Sequence, residues 1–131
     1  MQQPRQLSAP RVVRIGMIQN TISKVPLTAP YQEQWQGIID ILSPMVDAAG
    51  AAGVNVLCLQ EAVSMPFVFC TREKTWSEFA EDAYTGHTIV WAAAKAKLYG
   101  MVIIVPILER DSIMDMVWNT AVCIGHTVEA M

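Results

Sequence analysis

The residue best placed to do chemistry in this sequence is Glu61, which stands where a nearly unbroken apolar run, Val54, Val56, Leu57, Cys58 and Leu59, comes to a stop. Such a run is the pattern of a parallel strand covered on both faces. In open α/β sheets the carboxyl ends of the strands form the crevice where ligands bind, so a carboxylate there can exchange protons with a bound molecule. A solvated glutamate at a strand end is the competing reading of position alone. Further groups surround it. Met65, Pro66, Phe67 and Arg72 could line a substrate entrance, with the Arg72 guanidinium as a fork for a carboxylate. Asn119 could brace the region near Glu61 or make an ordinary structural hydrogen bond.

The other reactive side chains favour plainer readings. Cys58, Cys70 and Cys123 are an odd set without CxxC spacing, which argues against a disulfide framework and against a zinc site. Cys58 and Cys123 lie inside expected strands and read as small packed hydrophobes, while Cys70 follows the Glu61 loop. His87 and His126 are far apart and form no HExxH-like pair, so neither a metal nor a cofactor is expected. Lys74, Lys95 and Lys97 read as solvated surface positions, and the four tryptophans as core or interface packing. No glycine-rich phosphate loop follows any strand, which weakens a flavodoxin-like nucleotide-binding reading.

The elements that would position Glu61 follow from hydrophobic periodicity. Val12 to Gln19 is apolar and β-branched, a first strand, and Asn20 to Pro30 has loop composition. Tyr31 to Ala52 carries apolar residues at spacings of three and four, so an amphipathic helix is expected there. Ser43 and Pro44 predict a kink or break in it, and Gly53 fits its left-handed closure. The strand Val54 to Gln60 then completes a βαβ unit. Thr75 and Glu78 match a capping box for a short helix, and Thr88 to Tyr99 reads as a second crossover helix ending at Gly100. Met101 to Leu108 supplies another strand, in which Pro106 predicts a bulge or an unpaired position, and Val117 to Ile124 folds back on it as a hairpin. If both helices cover one face of the sheet, the other face must pack against something further.

Composition narrows the classes. The 131 residues fit one domain; they are 53% hydrophobic and 16% charged, which is apolar for a soluble chain and implies surfaces that want a partner. A net charge of −3 gives no basic field for nucleic acid or an anionic membrane. The longest candidate span, Met101 to Leu108, falls far short of the roughly 20 apolar residues of a membrane helix. Residues 1–10, MQQPRQLSAP, read as a loose leader without a secretory signal, making a cytoplasmic location the default.

Four ordered blocks add a resemblance: RVVRIGMIQN (Arg11 to Asn20), LQEAVSMPFVFCTREK (Leu59 to Lys74), PILERDS (Pro106 to Ser112) and WNTAV (Trp118 to Val122). Together they resemble the β-ureidopropionase branch of the nitrilase superfamily, the carbon–nitrogen hydrolases, over most of residues 11–125. The resemblance implies an α/β fold in which β-α-β-α-β-β is an incomplete portion of an αββα sandwich, with residues 11–131 the N-terminal part of the hydrolase domain. It further implies a cysteine nucleophile, a glutamate base and a lysine. The LQEA match gives Glu61 the role of general base, and the family's lysine and cysteine are expected beyond Met131. The implied reaction is hydrolysis of N-carbamoyl-β-alanine to β-alanine, carbon dioxide and ammonia in pyrimidine breakdown, with this chain inactive by itself. A small ureido or amide substrate and a homo-oligomer of the complete enzyme are the implied partners. The alternative is a non-catalytic truncated form that associates with a full-length subunit.

Overall fold

The computed structural model describes residues 12–21, 23–66, 74–111, 113–114 and 116–127. The chain runs β1 (Ile15–Met17), α1 (Tyr31–Ala51), β2 (Val56–Cys58), a 3-10 helix (Lys74–Phe79), α2 (His87–Tyr99), β3 (Val102–Arg110) and β4 (Val117–Ile124). The four strands form one sheet in the order β1-β2-β3-β4. The first three are parallel, and β4 returns antiparallel to β3 over the unbroken register from Ile103↔Ile124 to Arg110↔Val117. The expected α/β class is borne out.

Helix α1 forms because Gln34, Ile38, Leu42 and Val46 recur every fourth residue and, with Ile39, make one buried stripe. That stripe runs straight past Pro44, so the expected break does not occur: Pro44 is exposed and the helix continues on its buried side. Ser43, next to Pro44, accepts a hydrogen bond from Trp91 Nε1 on α2 at 3.2 Å. Helix α1 closes where Gly53 takes φ +73°, with Gly53 N donating to Gly50 O and Val54 N to Ala49 O. Gly100, at φ +63°, ends α2 in the same way. Residues 74–79 form a 3-10 helix where a short capped helix was expected.

Both helices lie on one face of the sheet. Leu57, Ile103, Val105, Ile107 and Ile124 point into them and, with Leu42, Val46, Ala92 and Ala96, build the main core. Pro106 was expected to make a bulge or an unpaired position; there is no bulge, since it pairs in register with Ala121 on β4. Its carbonyl accepts from Val63 N at 3.0 Å, on the β2 side. The missing N–H therefore faces a stretch where β2 has already ended, and the ladder with β4 loses nothing.

The opposite face is different. Ile15 and Met17 are 70% and 85% exposed, and their strand neighbours Val56, Cys58 and Ile104 are half-buried. The β2 strand is therefore covered on one face, and Cys58 and Cys123, read as packed residues, lie half-exposed and exposed on the open face. Among the described residues, only the end of β3 is covered on this side. There Ala62, Met65, Phe79 and Leu108 form a second, smaller cluster with Tyr31, Trp76 and Val117 against it. Among the described residues no helix is long and apolar enough to cross a membrane.

Tyr31 meets this cluster edge-on at Phe79, with ring centroids 5.1 Å apart. Burial first, and then the negative charge of Glu81, push its hydroxyl from the ordinary 10.0 up to about 12. A raised acid pKa stabilises the fold below the ordinary value and loses that contribution as pH climbs through the raised one. Stability should thus fall between pH 10 and about 12, and Tyr31→Phe should flatten that fall in denaturant melts read across this range. An unchanged slope in the variant would remove Tyr31 as its source.

Candidate active site

Glu61 lies three residues past the end of β2, at the carboxyl end of the parallel strands. The turn it opens spans residues 61–64 and is pinned to β3 from both sides: Leu59 N donates to Ile104 O at 3.0 Å and Val63 N to Pro106 O at 3.0 Å. Between those anchors Ala62 takes φ +48°, the left-handed region. Its methyl group is buried among Met65, Phe79 and Leu108. The chain reverses here with no glycine, and the Glu61 side chain stays exposed while Ala62 to Pro66 are buried.

Alanine in the left-handed region costs about 1–2 kcal/mol. Glycine would relieve that strain but lose roughly 0.8 kcal/mol of methyl burial and about 0.4–1 kcal/mol through a freer unfolded chain. These effects offset, so Ala62→Gly should stay within about 1 kcal/mol of the parent, whereas the β-branched, larger valine should cost upwards of about 2 kcal/mol. Urea melts of the two variants check this. Equal tolerance of glycine and valine would mean that the turn is not held in this conformation.

Glu61 Oε1 accepts a hydrogen bond from Asn119 Nδ2 at 2.7 Å. The pair is 58 positions apart in sequence. Asn119 lies on β4 opposite Leu108, with Ala121 and Cys123 on the same open face. Beside Glu61 a concave region of about 770 Å³ follows the ends of β1 and β2, lined by Met17 to Asn20 and Cys58 to Glu61. Its floor is braced by Asn20 N donating to Gln60 Oε1 at 3.2 Å. Asn20 Oδ1 is buried with no partner among the described residues, an unspent acceptor at this edge.

The structure therefore brings together two of the six residues singled out in the sequence, Glu61 and Asn119, while Pro66 is buried outside the concave region. Met65 does not line the concave region; it is buried, 4% exposed, in the cluster beneath the turn. Phe67 and Arg72 lie outside the described residues, as do Cys70 and the leader at 1–10. The His87 ring is tilted at 55° to that of Trp35, with centroids 5.7 Å apart. Among the described residues no group of three His, Cys, Asp or Glu side chains is arranged to hold a metal ion.

One carboxylate escaped the sequence reading. Glu81 is 6% exposed and accepts from Thr88 N at 2.8 Å and Thr88 Oγ1 at 2.5 Å, which ties it to the positive end of α2. Its backbone bridges to β3, with Glu81 N donating to Leu108 O and Arg110 N to Glu81 O, both at 2.8 Å. This fixes α2 to the strand end that carries the Ala62 cluster. A cap seven residues upstream of its amide has no local sequence signature, which is why periodicity could not find it.

A carboxylate just past the end of a central parallel strand, with one oxygen held by an amide and a concavity beside it, is within reach of a molecule bound there. The chain matches the family model described as carbon-nitrogen hydrolase over residues 14–130. The chain belongs to the carbon-nitrogen hydrolase family. It is also similar to a β-ureidopropionase of Arabidopsis thaliana, 56% identical over 122 residues. That match takes in 92% of the chain and 29% of the relative's length, so the chain spans under a third of this carbon-nitrogen hydrolase relative.

Proposed function

We propose that this chain supplies the general base of a carbon–nitrogen hydrolase acting on a small ureido or amide substrate, and that Glu61 is that base. The observation that carries the reading is the strand-end carboxylate held 2.7 Å from Asn119 beside an open concavity. The similarity to a β-ureidopropionase supports N-carbamoyl-β-alanine as the substrate, with β-alanine, carbon dioxide and ammonia as products. In this reading Glu61 takes the proton of a cysteine nucleophile, a lysine stabilises the oxyanion, and those two residues belong to a part of the protein other than this chain. The open face of the sheet, with Ile15 and Met17 exposed, is where a second sheet packs in an αββα sandwich. That second layer also supplies the burial that a general base working near neutral pH requires.

The test is ammonia release from N-carbamoyl-β-alanine by the intact protein that contains this chain, with a plain amide of equal length as comparison. Turnover of the ureido substrate supports the reading; cleavage of neither compound removes it. The 131 residues alone should release no ammonia.

The same exposed apolar face favours one other reading, in which the chain by itself is a non-catalytic partner that docks on a full-length subunit through that face. Co-expression followed by size-exclusion chromatography distinguishes it, since separate elution of the two chains contradicts docking.

A further inference from the structure

We propose that Asn119 is the positioning residue for the Glu61 carboxylate and that the left-handed turn at Ala62 is what delivers Glu61 to it. This rests on the reading of Glu61 as the base.

The contact is built from three independent constraints. First, Asn119 has a fixed height on the sheet, because eight consecutive pairs lock β4 to β3 from Ile103↔Ile124 to Arg110↔Val117. Second, the Glu61 segment is fixed at the same level on the other edge of β3, since Val63 N bonds to the carbonyl of Pro106, whose β4 partner Ala121 is two residues from Asn119. Third, Ala62 spends a conformation that L-residues rarely adopt, φ +48°, immediately after Glu61. A surface glutamate with no task would not need that turn. The Asn119 side chain reaches over β3 to meet it.

The chemistry of the contact also has a sense. An asparagine amide donates an N–H but cannot give up a proton or accept one from a carboxyl group at neutral pH. It therefore orients a carboxylate without competing with it as a base. Asn119 occupies Oε1 alone, and among the described residues no donor reaches Oε2, the oxygen left to face a nucleophile.

The experiment measures kcat, KM and the pH profile of kcat/KM for the intact protein carrying N119D, N119L and E61Q. In N119D a second carboxylate replaces the amide donor 2.7 Å from Glu61. Like charges at that distance favour a shared proton, so the acid limb should move up by about one pH unit or more. N119L keeps the branched outline and removes the donor, and should lower kcat by about tenfold or more with KM within about twofold. Melting temperatures are measured alongside, and kcat is read from variants that melt near the parent, which separates a loss of positioning from a loss of folding. N119A is the second variant should N119L fold poorly, with the same outcome expected. An acid limb that stays in place in N119D, or a kcat within about twofold in N119L and N119A, would overturn the proposal. An E61Q enzyme of undiminished activity would instead remove the reading of Glu61 beneath it, so the two failures are separable.

Discussion

Glu61→Gln should lower kcat of the intact protein by about 10²–10⁴-fold while leaving KM and the melting temperature nearly unchanged. The size follows from the task. A positioned general base contributes that much because it is present at the reacting group without a diffusional encounter, and glutamine keeps the shape while losing the ability to take a proton. The small cost to folding follows from the structure: among the described residues the Glu61 carboxylate has the single partner Asn119, with which a glutamine oxygen can still bond. A substrate-binding role would instead raise KM at nearly constant kcat, and a structural role would lower stability alongside activity.

Leu57→Ala should cost about 3–5 kcal/mol of stability. Leu57 is 1% exposed at the centre of β2, between β1 and β3 in the sheet and against the helices on the covered face. Helices α1 and α2 are fixed to each other by Trp91 to Ser43 and by Lys95 and Tyr99 to Asp47, so they cannot easily close on the space left behind. A loss of this size is a large fraction of the roughly 5–15 kcal/mol that holds a domain together. Because β2 leads directly into the Glu61 turn, the same change should reduce activity as well. Chemical denaturation gives the number, and a loss below about 1 kcal/mol would mean that the core repacks around the gap.

What the sequence revealed depended on whether the signal was local. The start of α1 after Pro30, its end at Gly53, the end of α2 at Gly100 and the bounds of β4 at Val117 and Ile124 all follow from residues within one turn or one alternation. The effect of each proline depends on its neighbours. Pro44 sits on the solvent side of a helix held by its other side, and Pro106 turns its missing donor to where β2 has ended. Strands β1 and β2 are shorter than their apolar runs, since each has only three residues in register with its neighbour. Burial was the least legible quantity. Cys58 and Cys123 read as packed because alternation does not say which face of a sheet the chain itself covers.

The candidate site divides along the same line. Glu61 was legible because a strand end is a local feature, and Asn119 was singled out from its own block, but the 2.7 Å contact between them depends on a register across three strands. Met65 was assigned to a substrate entrance from its nearness in sequence to Glu61, and the buried turn places it underneath instead. Glu81 carried no local signal, although it anchors α2 to β3 beside the site.

The most direct test of the central claim is the pH profile of kcat/KM for N-carbamoyl-β-alanine hydrolysis, compared between the intact protein and its Glu61→Gln variant. If Glu61 is the base, the parent's activity falls on the acid side and the residual activity of the variant loses that dependence. An acid limb that survives unchanged in the variant would contradict the account and place the base elsewhere in the protein.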